Sequence, residues 1–268
     1  MVRKSRHNDD CSWCGVAGMM EVAYFQMVGQ GKARNQDALF AGVEVKFAKL
    51  NKARLVEVPS SGFCLAVADG VSNSPSSHLA SRFWLQKIAE TPLDKIGARD
   101  FFERNFEQFC EEISPVAYGS STTLAGVVID ECGACRFFNI GDSRIYLIDN
   151  AGKFTQLSHD HTVLNDMIAE GLAKPDGNYA SMYNALSQCL IADSEEYDFS
   201  VYRAKCTLKP GESLLLCTDG LTDELDDETL SKLWQCGDGL CEKLETLRQA
   251  VKACVGYDDC SVVVASWA

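Results

Sequence analysis

Aspartates recur where apolar runs begin or stop. Asp69 closes LAVADG, Asp142 closes FFNIGDSR and Asp219 closes LLLCTDG. Asp37 stands in GKARNQDALF, and Asp258 with Asp259 precedes CSVVVASW. Taken singly, an aspartate before glycine is a common turn-former. Two of them, Asp69 and Asp219, each follow a core-like strand and each precede a glycine, which points to a shared site. Anions gathered at one place repel strongly, so such a cluster is reasonable where divalent cations neutralise it. The set holds no obligatory cysteine or histidine. Oxygen donors of this kind suit hard ions, Mg²⁺ or Mn²⁺.

Something must bring these positions together. Short runs rich in Val, Phe and Leu predict strands over 22–28, 37–47, 53–58 and 62–68. Leu79, Phe83, Trp84 and Ile88 recur at helical spacing and predict a helix over 76–90, started by Pro75 and Ser76. Phe101, Phe102, Phe106, Phe109 and Ile113 give one apolar side to a second helix over 99–113. The middle returns to strands at 122–130, 134–140, 143–149 and 153–156, with turn signals in ECGA and DNAGK. A short helix fits 161–171, and LAKPDGNYASMYN over 172–184 reads as a surface loop. Strands follow at 186–191, 197–204 and 212–218, helices at 227–235 and 239–254, and a last strand at 260–267. Consecutive hairpin-linked strands imply mostly antiparallel sheets. The expected fold is an α/β (α+β) sandwich, two sheets packed face to face with helices on the outer faces. Residues 1–21 read as a leader segment and 22–268 as a single domain.

Bulk properties narrow the function. The chain has 268 residues and a net charge of −13, so the phosphate backbone of a nucleic acid is repelled on average. The basic start MVRKSRHNDD is followed by no apolar stretch, and no run is long enough to cross a bilayer, so the expected setting is cytoplasmic, without membrane attachment. Thirteen cysteines is an odd number, and without a secretion signal a disulfide framework is the weaker reading. Cys11/Cys14 and Cys132/Cys135 are CxxC pairs of the zinc-ligand type. Their separation by more than a hundred residues favours a turn at CGAC and a leader at CSWC.

In chain order, ARNQDA, VADGVS, GSSTTLAG, NIGDSRIYL, LSHDHTVL, LLLCTDGLTDEL and DDCSVVVA resemble the metal-dependent protein phosphatases (the PPM, or type 2C, family) over about residues 25–267. That resemblance implies a β-sandwich flanked by helices and hydrolysis of phosphoserine and phosphothreonine in proteins. The NQD spelling and the loop DGVSNSPSS look bacterial. The resemblance also implies roles. Asp69 bridges two metals, and the Gly70 carbonyl binds one of them. Asp219 and Asp258 complete the other, and Asp37 lies beside the pair. Asp142 and Asp219 hold a third, weaker ion. Asp259 takes the place of the family's asparagine. His159 and His161 flank Asp160, and the match to the family's DH segment favours a structural role for them. The chemistry implied is attack on phosphorus by a metal-activated water, with charge on the phosphoryl oxygens met by metals and a cation.

The sequence departs from the family at two places. The phosphate-binding arginine five positions before Asp37 is replaced by Lys32, with Arg34 two residues nearer. As a strand, 32 and 34 share a face and reach one anion. Arginine's planar fork suits phosphate better, but register assigns the anchor to Lys32. Val71 stands where relatives often carry an acid-donating histidine. The expected partner is a phosphoprotein, substrate of a Ser/Thr kinase, acted on by a monomer. A non-catalytic phosphatase-like binding module and a small-molecule phosphatase are the alternatives.

Overall fold

The computed structural model describes residues 19–267 apart from 176, 178 and 196–198. The first half holds β1 (Met20–Met27), β2 (Ala38–Ala41), β3 (Val45–Lys46), β4 (Arg54–Val56) and β5 (Gly62–Ala68), then α1 (Ser77–Glu90) and α2 (Arg99–Ala117). Next come β6 (Ser121–Thr122), β7 (Leu124–Asp130), β8 (Ala134–Ile140), β9 (Arg144–Ile148) and β10 (Phe154–Gln156). After α3 (Val163–Ala169) and a 3₁₀ turn (Ser181–Asn184) lie β11 (Leu190–Ile191), β12 (Tyr202–Thr207) and β13 (Ser213–Cys217). The chain continues through α4 (Asp219–Thr222), α5 (Asp227–Trp234), α6 (Leu240–Ala253) and β14 (Cys260–Trp267).

Two antiparallel six-stranded sheets form, ordered β10-β9-β13-β14-β1-β4 and β12-β8-β7-β5-β2-β3, with a small β11-β6 ribbon beside them. The two-residue side-chain period explains their stacking. Val263 and Ala265 of β14, Leu214 and Leu216 of β13, and Leu65 and Val67 of β5 meet between the sheets. The alternate residues turn outward: Val262 and Val264 pack beneath α5 and α6, while Cys64 and Ala66 pack beneath α1 and α2. Both faces of each sheet are therefore covered, as expected for the αββα sandwich.

Under α1 and α2 the expected phenylalanines are all in place. Phe101, Phe102, Phe106 and Phe109 are buried, and Trp84 makes edge contacts with Phe101 and Phe109 at 6.3 and 5.7 Å between centroids. Full burial of each such ring contributes about 1.5–3 kcal/mol, so this layer fixes α1 firmly to its sheet. That matters because α1 borders the site.

Several expectations shift. The run 37–47 is two strands broken at Gly42, whose φ of +85° turns the chain. The strand expected at 197–204 lies at 202–207, and that at 186–191 shrinks to two residues. β1 begins at Met20, so the boundary drawn after residue 21 falls inside a strand. Most of the 1–21 segment, with Cys11 and Cys14, lies outside the described residues. CGAC does form the β7–β8 turn: Gly133 has φ +77°, Cys132 is exposed and Cys135 is buried opposite Cys206. Among the described residues no helix is long and apolar enough to cross a membrane.

Candidate metal centre at the sandwich edge

The aspartates gather because the strand ends that carry them lie side by side. β5 and β2 pair with Ala68 opposite Ala38, which places Asp69 next to Asp37. β13 and β14 pair with Cys217 opposite Val262, which brings Asp219 to the start of β14, where Asp258 and Asp259 lead into the strand. Asp142 follows β8 on the same sheet as Asp69. Both sheets thus deliver carboxylates to one edge of the sandwich.

Their charges act on each other. Burial, then Asp259 and Asp219, holds the Asp37 carboxyl well above its ordinary range. Asp69 is raised by burial, then by Asp219, Asp37 and Asp142. Asp142 is pushed to about 7 by burial, then by Asp219 and Asp160. Asp223, one turn along from Asp219, is pushed to about 6 by burial and then by Asp219.

Asp37 is fully buried, and its Oδ2 accepts hydrogen bonds from Thr218 Oγ1 and Ser261 Oγ, both at 2.8 Å. Gln26 Nε2 in turn donates to Ser261 Oγ at 3.0 Å. Asp37 Oδ1 is buried with no hydrogen-bond partner among the described residues. The backbone of Asp69 is equally fixed: its N–H donates to Thr123 Oγ1 at 3.0 Å, and its carbonyl accepts from Thr122 Oγ1 at 2.7 Å. Gly70 is required by space. A Cβ there would stand 2.6 Å from the Gln36 carbonyl oxygen and 2.8 Å from the backbone of Ser77.

Asp219 begins the one-turn helix α4, an element the sequence reading missed because one turn carries no periodicity. Gly220 lets that turn meet β14, since a Cβ would lie 2.0 Å from the Asp259 carbonyl oxygen. Asp142 sits on a turn braced by His161, whose Nδ1 lies 3.2 Å from the Gly141 nitrogen. Asp160 accepts from Arg144 Nε at 2.8 Å and Gln156 Nε2 at 2.7 Å. Asp160 and His161 are thus tied into the fold by these contacts.

Two neighbouring acids prove different in kind. Asp258 is half-exposed and ion-paired with Lys32 Nζ. Asp259 is buried and accepts from the Gly29 and Gln36 N–H groups at 2.8 and 2.9 Å. Asp259 is therefore a clamp between β14 and the loop after β1, a role missed in the sequence because DD offers no sign of which acid turns inward. Thr218 and Ser261 were missed too, and only their position beside the aspartates could have flagged them.

The strand argument for the phosphate anchor fails. Residues 28–37 form loop and turn with Gly31 at φ +82°, so 32 and 34 do not share a face. Lys32 turns inward to Asp258, Asp259 and Gln36 Oε1, the last at 2.9 Å. Arg34 turns outward, its Nη1 lying 2.5 Å from His78 Nε2 on α1.

Do these residues suit a hard cation? As the side chains stand, no three described Asp, Glu, His or Cys groups converge on one point at ligand distance. The donor set nonetheless fits. It is all oxygen, its carboxyls raise one another, and the buried Asp37 Oδ1 lacks a partner. A cation relieves each of these costs.

The chain is similar to known proteins over most of its length. The protein phosphatase PhpP of Streptococcus pneumoniae is 26% identical over 259 residues, covering 92% of this chain and 97% of its own. The serine/threonine protein phosphatase PstP of Mycobacterium tuberculosis is 27% identical over 88% of this chain; the match spans 43% of that relative's length. In fold, the crystal structure of the Mycobacterium tuberculosis phosphatase PstP/Ppp superposes with a TM-score of 0.73 at 23% identity, over 92% of this chain and 99% of that one. A structure of the PstP catalytic domain in complex with two manganese ions gives 0.67 at 23% identity, over 92% and 99%. Residues 30–253 match the family described as Protein phosphatase 2C, and the chain belongs to that family.

Proposed function

We propose that this chain is a protein serine/threonine phosphatase that hydrolyses phosphoserine and phosphothreonine, the products of a Ser/Thr kinase. The observation that carries the reading is the mutual crowding of Asp37, Asp69, Asp142 and Asp219 at an edge built by both sheets. Asp69, the Gly70 carbonyl, Asp219 and Asp258 would hold a pair of Mg²⁺ or Mn²⁺ ions, with Asp37 beside them. Asp142 with Asp219 would hold a weaker third. Bound ions supply neutralisation of the phosphoryl oxygens and a water of lowered pKa.

The chain's own residues do the positioning. Thr122 and Thr123 lock the Asp69 backbone, and Thr218 and Ser261 orient Asp37. Lys32, tethered beside Asp258 and Asp259, places a cation at the rim of the centre, suited to one phosphoryl oxygen. Val71 supplies no proton, so the leaving oxygen would take its proton from solvent or from water held at the metal centre.

The test is turnover of phosphoserine, phosphothreonine and phosphotyrosine peptides with Mn²⁺ and with EDTA. Expected is Mn²⁺-dependent release of phosphate from the first two, abolished by EDTA. No release from any peptide, with tight peptide binding retained, would favour a binding module. Turnover of small phosphate esters alone would favour a small-molecule phosphatase.

A further inference from the structure

Beside the metal centre lies an open cleft of about 600 Å³, walled by Lys32, Arg34, Phe47, Lys49 and Tyr257. Its lining carries three cations and no carboxylate. In a chain of net charge −13 this is unusual, because acids are available everywhere to pair with bases. No ion pair joins Arg34 or Lys49 to a described carboxylate. A further cation contacts one wall residue, Phe47, without itself lining the cleft. Arg82 lies 4.1 Å over the ring of Phe47, and its Nε is buried with no hydrogen-bond partner among the described residues.

The cationic groups are held, not merely scattered. His78 and Arg82 are four residues apart on α1 and so share one face. Arg34 reaches that face through His78 Nε2. Since arginine can only donate, His78 must accept and is therefore neutral. Burial, then Arg34 and Arg82, lowers the His78 pKa accordingly. Stacking on Phe47 gives the Arg82 guanidinium a fixed plane, which suits a tetrahedral or planar anion.

The loop that lines the cleft runs on to the centre and is fastened to α1 on the way. Ser81 Oγ donates to the Gln36 carbonyl at 2.5 Å, and Gln36 Nε2 donates to Ser77 Oγ at 2.8 Å. Gln36 adjoins Asp37, and Lys32 stands between the cleft and Asp258. An extended peptide whose phosphate is at the metal centre would carry a neighbouring residue across this cleft.

We infer that the cleft lined by Arg34 and Lys49, with Arg82 stacked on its Phe47 wall, is an anion subsite that selects substrates bearing a second anionic group near the scissile phosphate. The inference rests on the phosphatase reading and adds a substrate class to it: doubly phosphorylated or acid-flanked phosphopeptides.

Its test uses three peptides of one sequence. One carries a single phosphothreonine, one adds a second phosphothreonine two residues away, and one puts aspartate there. Binding is read by fluorescence anisotropy in EDTA, and turnover is read with Mn²⁺. Expected is at least about tenfold tighter binding of the doubly phosphorylated peptide, about 1.4 kcal/mol. Lys49→Glu, and separately Arg34→Ala with Arg82→Gln, should remove that preference in both readouts. An equal gain from aspartate identifies simple charge, and a gain from phosphate alone identifies phosphate; both support the subsite. Equal affinity of the wild-type protein for one and two anions overturns it. So does an equal loss on all three peptides in the variants, which would make these cations part of the primary phosphate site. If no peptide is turned over, the phosphatase reading fails, while the EDTA binding preference still decides the subsite.

Discussion

The two carboxyl oxygens of Asp37 sit in opposite circumstances. Oδ2 is fully satisfied by Thr218 and Ser261, and Oδ1 is buried with nothing to bond. Removing one donor sharpens the imbalance. Thr218→Val should cost about 1–3 kcal/mol in the metal-free protein, read from denaturant midpoints. The sign follows from leaving a buried acceptor short, and an unchanged midpoint would show that water replaces the hydroxyl. At the centre itself, Asp69→Asn or Asp219→Asn removes an anionic ligand while relieving repulsion. Turnover with saturating Mn²⁺ should fall at least about a hundredfold, about 2.7 kcal/mol in the barrier, with the thermal midpoint held or raised. Near-normal turnover in either variant would remove that residue from the metal set. Lys32→Ala should raise KM for every phosphopeptide and the inhibition constant of inorganic phosphate, whereas Arg34→Ala acts only through a second anion. A larger general loss in Arg34→Ala would move the anchor from Lys32 to Arg34.

At the scale of elements, legibility in the sequence tracked periodicity. β14 and β1 could be read because each alternates between two buried faces, and α2 because four phenylalanines mark one side. β3, β6 and β11 have two residues each and lie in or at the edge of the longer strands expected at 37–47, 122–130 and 186–191, because a local pattern does not show where a distant partner stops pairing. The aspartates were visible as strand-end acids, yet which of Asp258 and Asp259 turns inward depends on the Gly29 and Gln36 amides, 223 or more positions away in the chain. The Lys32/Arg34 divergence has the same origin: a loop, not a strand, carries them. Element contacts also set the fate of Gly70, where a methyl group meets the backbone of both Gln36 and Ser77. Gly70→Ala must push α1 from the loop. We expect a loss of about 1–3 kcal/mol together with loss of turnover, and a stable, active variant would show that α1 can slide at no cost.

For the whole molecule the question is how a chain of net charge −13 tolerates several like charges at one edge. In the absence of metal it does so by holding protons. Asp142 is raised from 3.8 to about 7, and Asp223 from 3.8 to about 6, so the folded state binds protons that the unfolded state has released. A carboxyl of raised pKa adds stability that is complete below its unfolded value and is lost as pH climbs through its folded one. The metal-free protein should therefore lose stability from about pH 4, just above the unfolded value, to just above pH 7, the window these two groups define. Allowing for solvent screening and relaxation, the loss at Asp142 is on the order of 2 kcal/mol, or about 4–8 °C in the melting midpoint for a chain of this size. Asp142→Asn, which mimics the protonated form, should flatten part of that slope. Divalent cations compete with the same protons. Mn²⁺ at a hundred times its dissociation constant at pH 8 should stabilise the fold by about 2.7 kcal/mol, and the same Mn²⁺ concentration should stabilise it less at pH 5, where protons compete for the carboxylates. Thermal melts across pH 5–8, with EDTA and with Mn²⁺, measure both slopes at once. An Mn²⁺ gain of equal size at the two ends, or one that survives in Asp69→Asn, would mean that the ion binds elsewhere and that the crowded edge is not the metal centre.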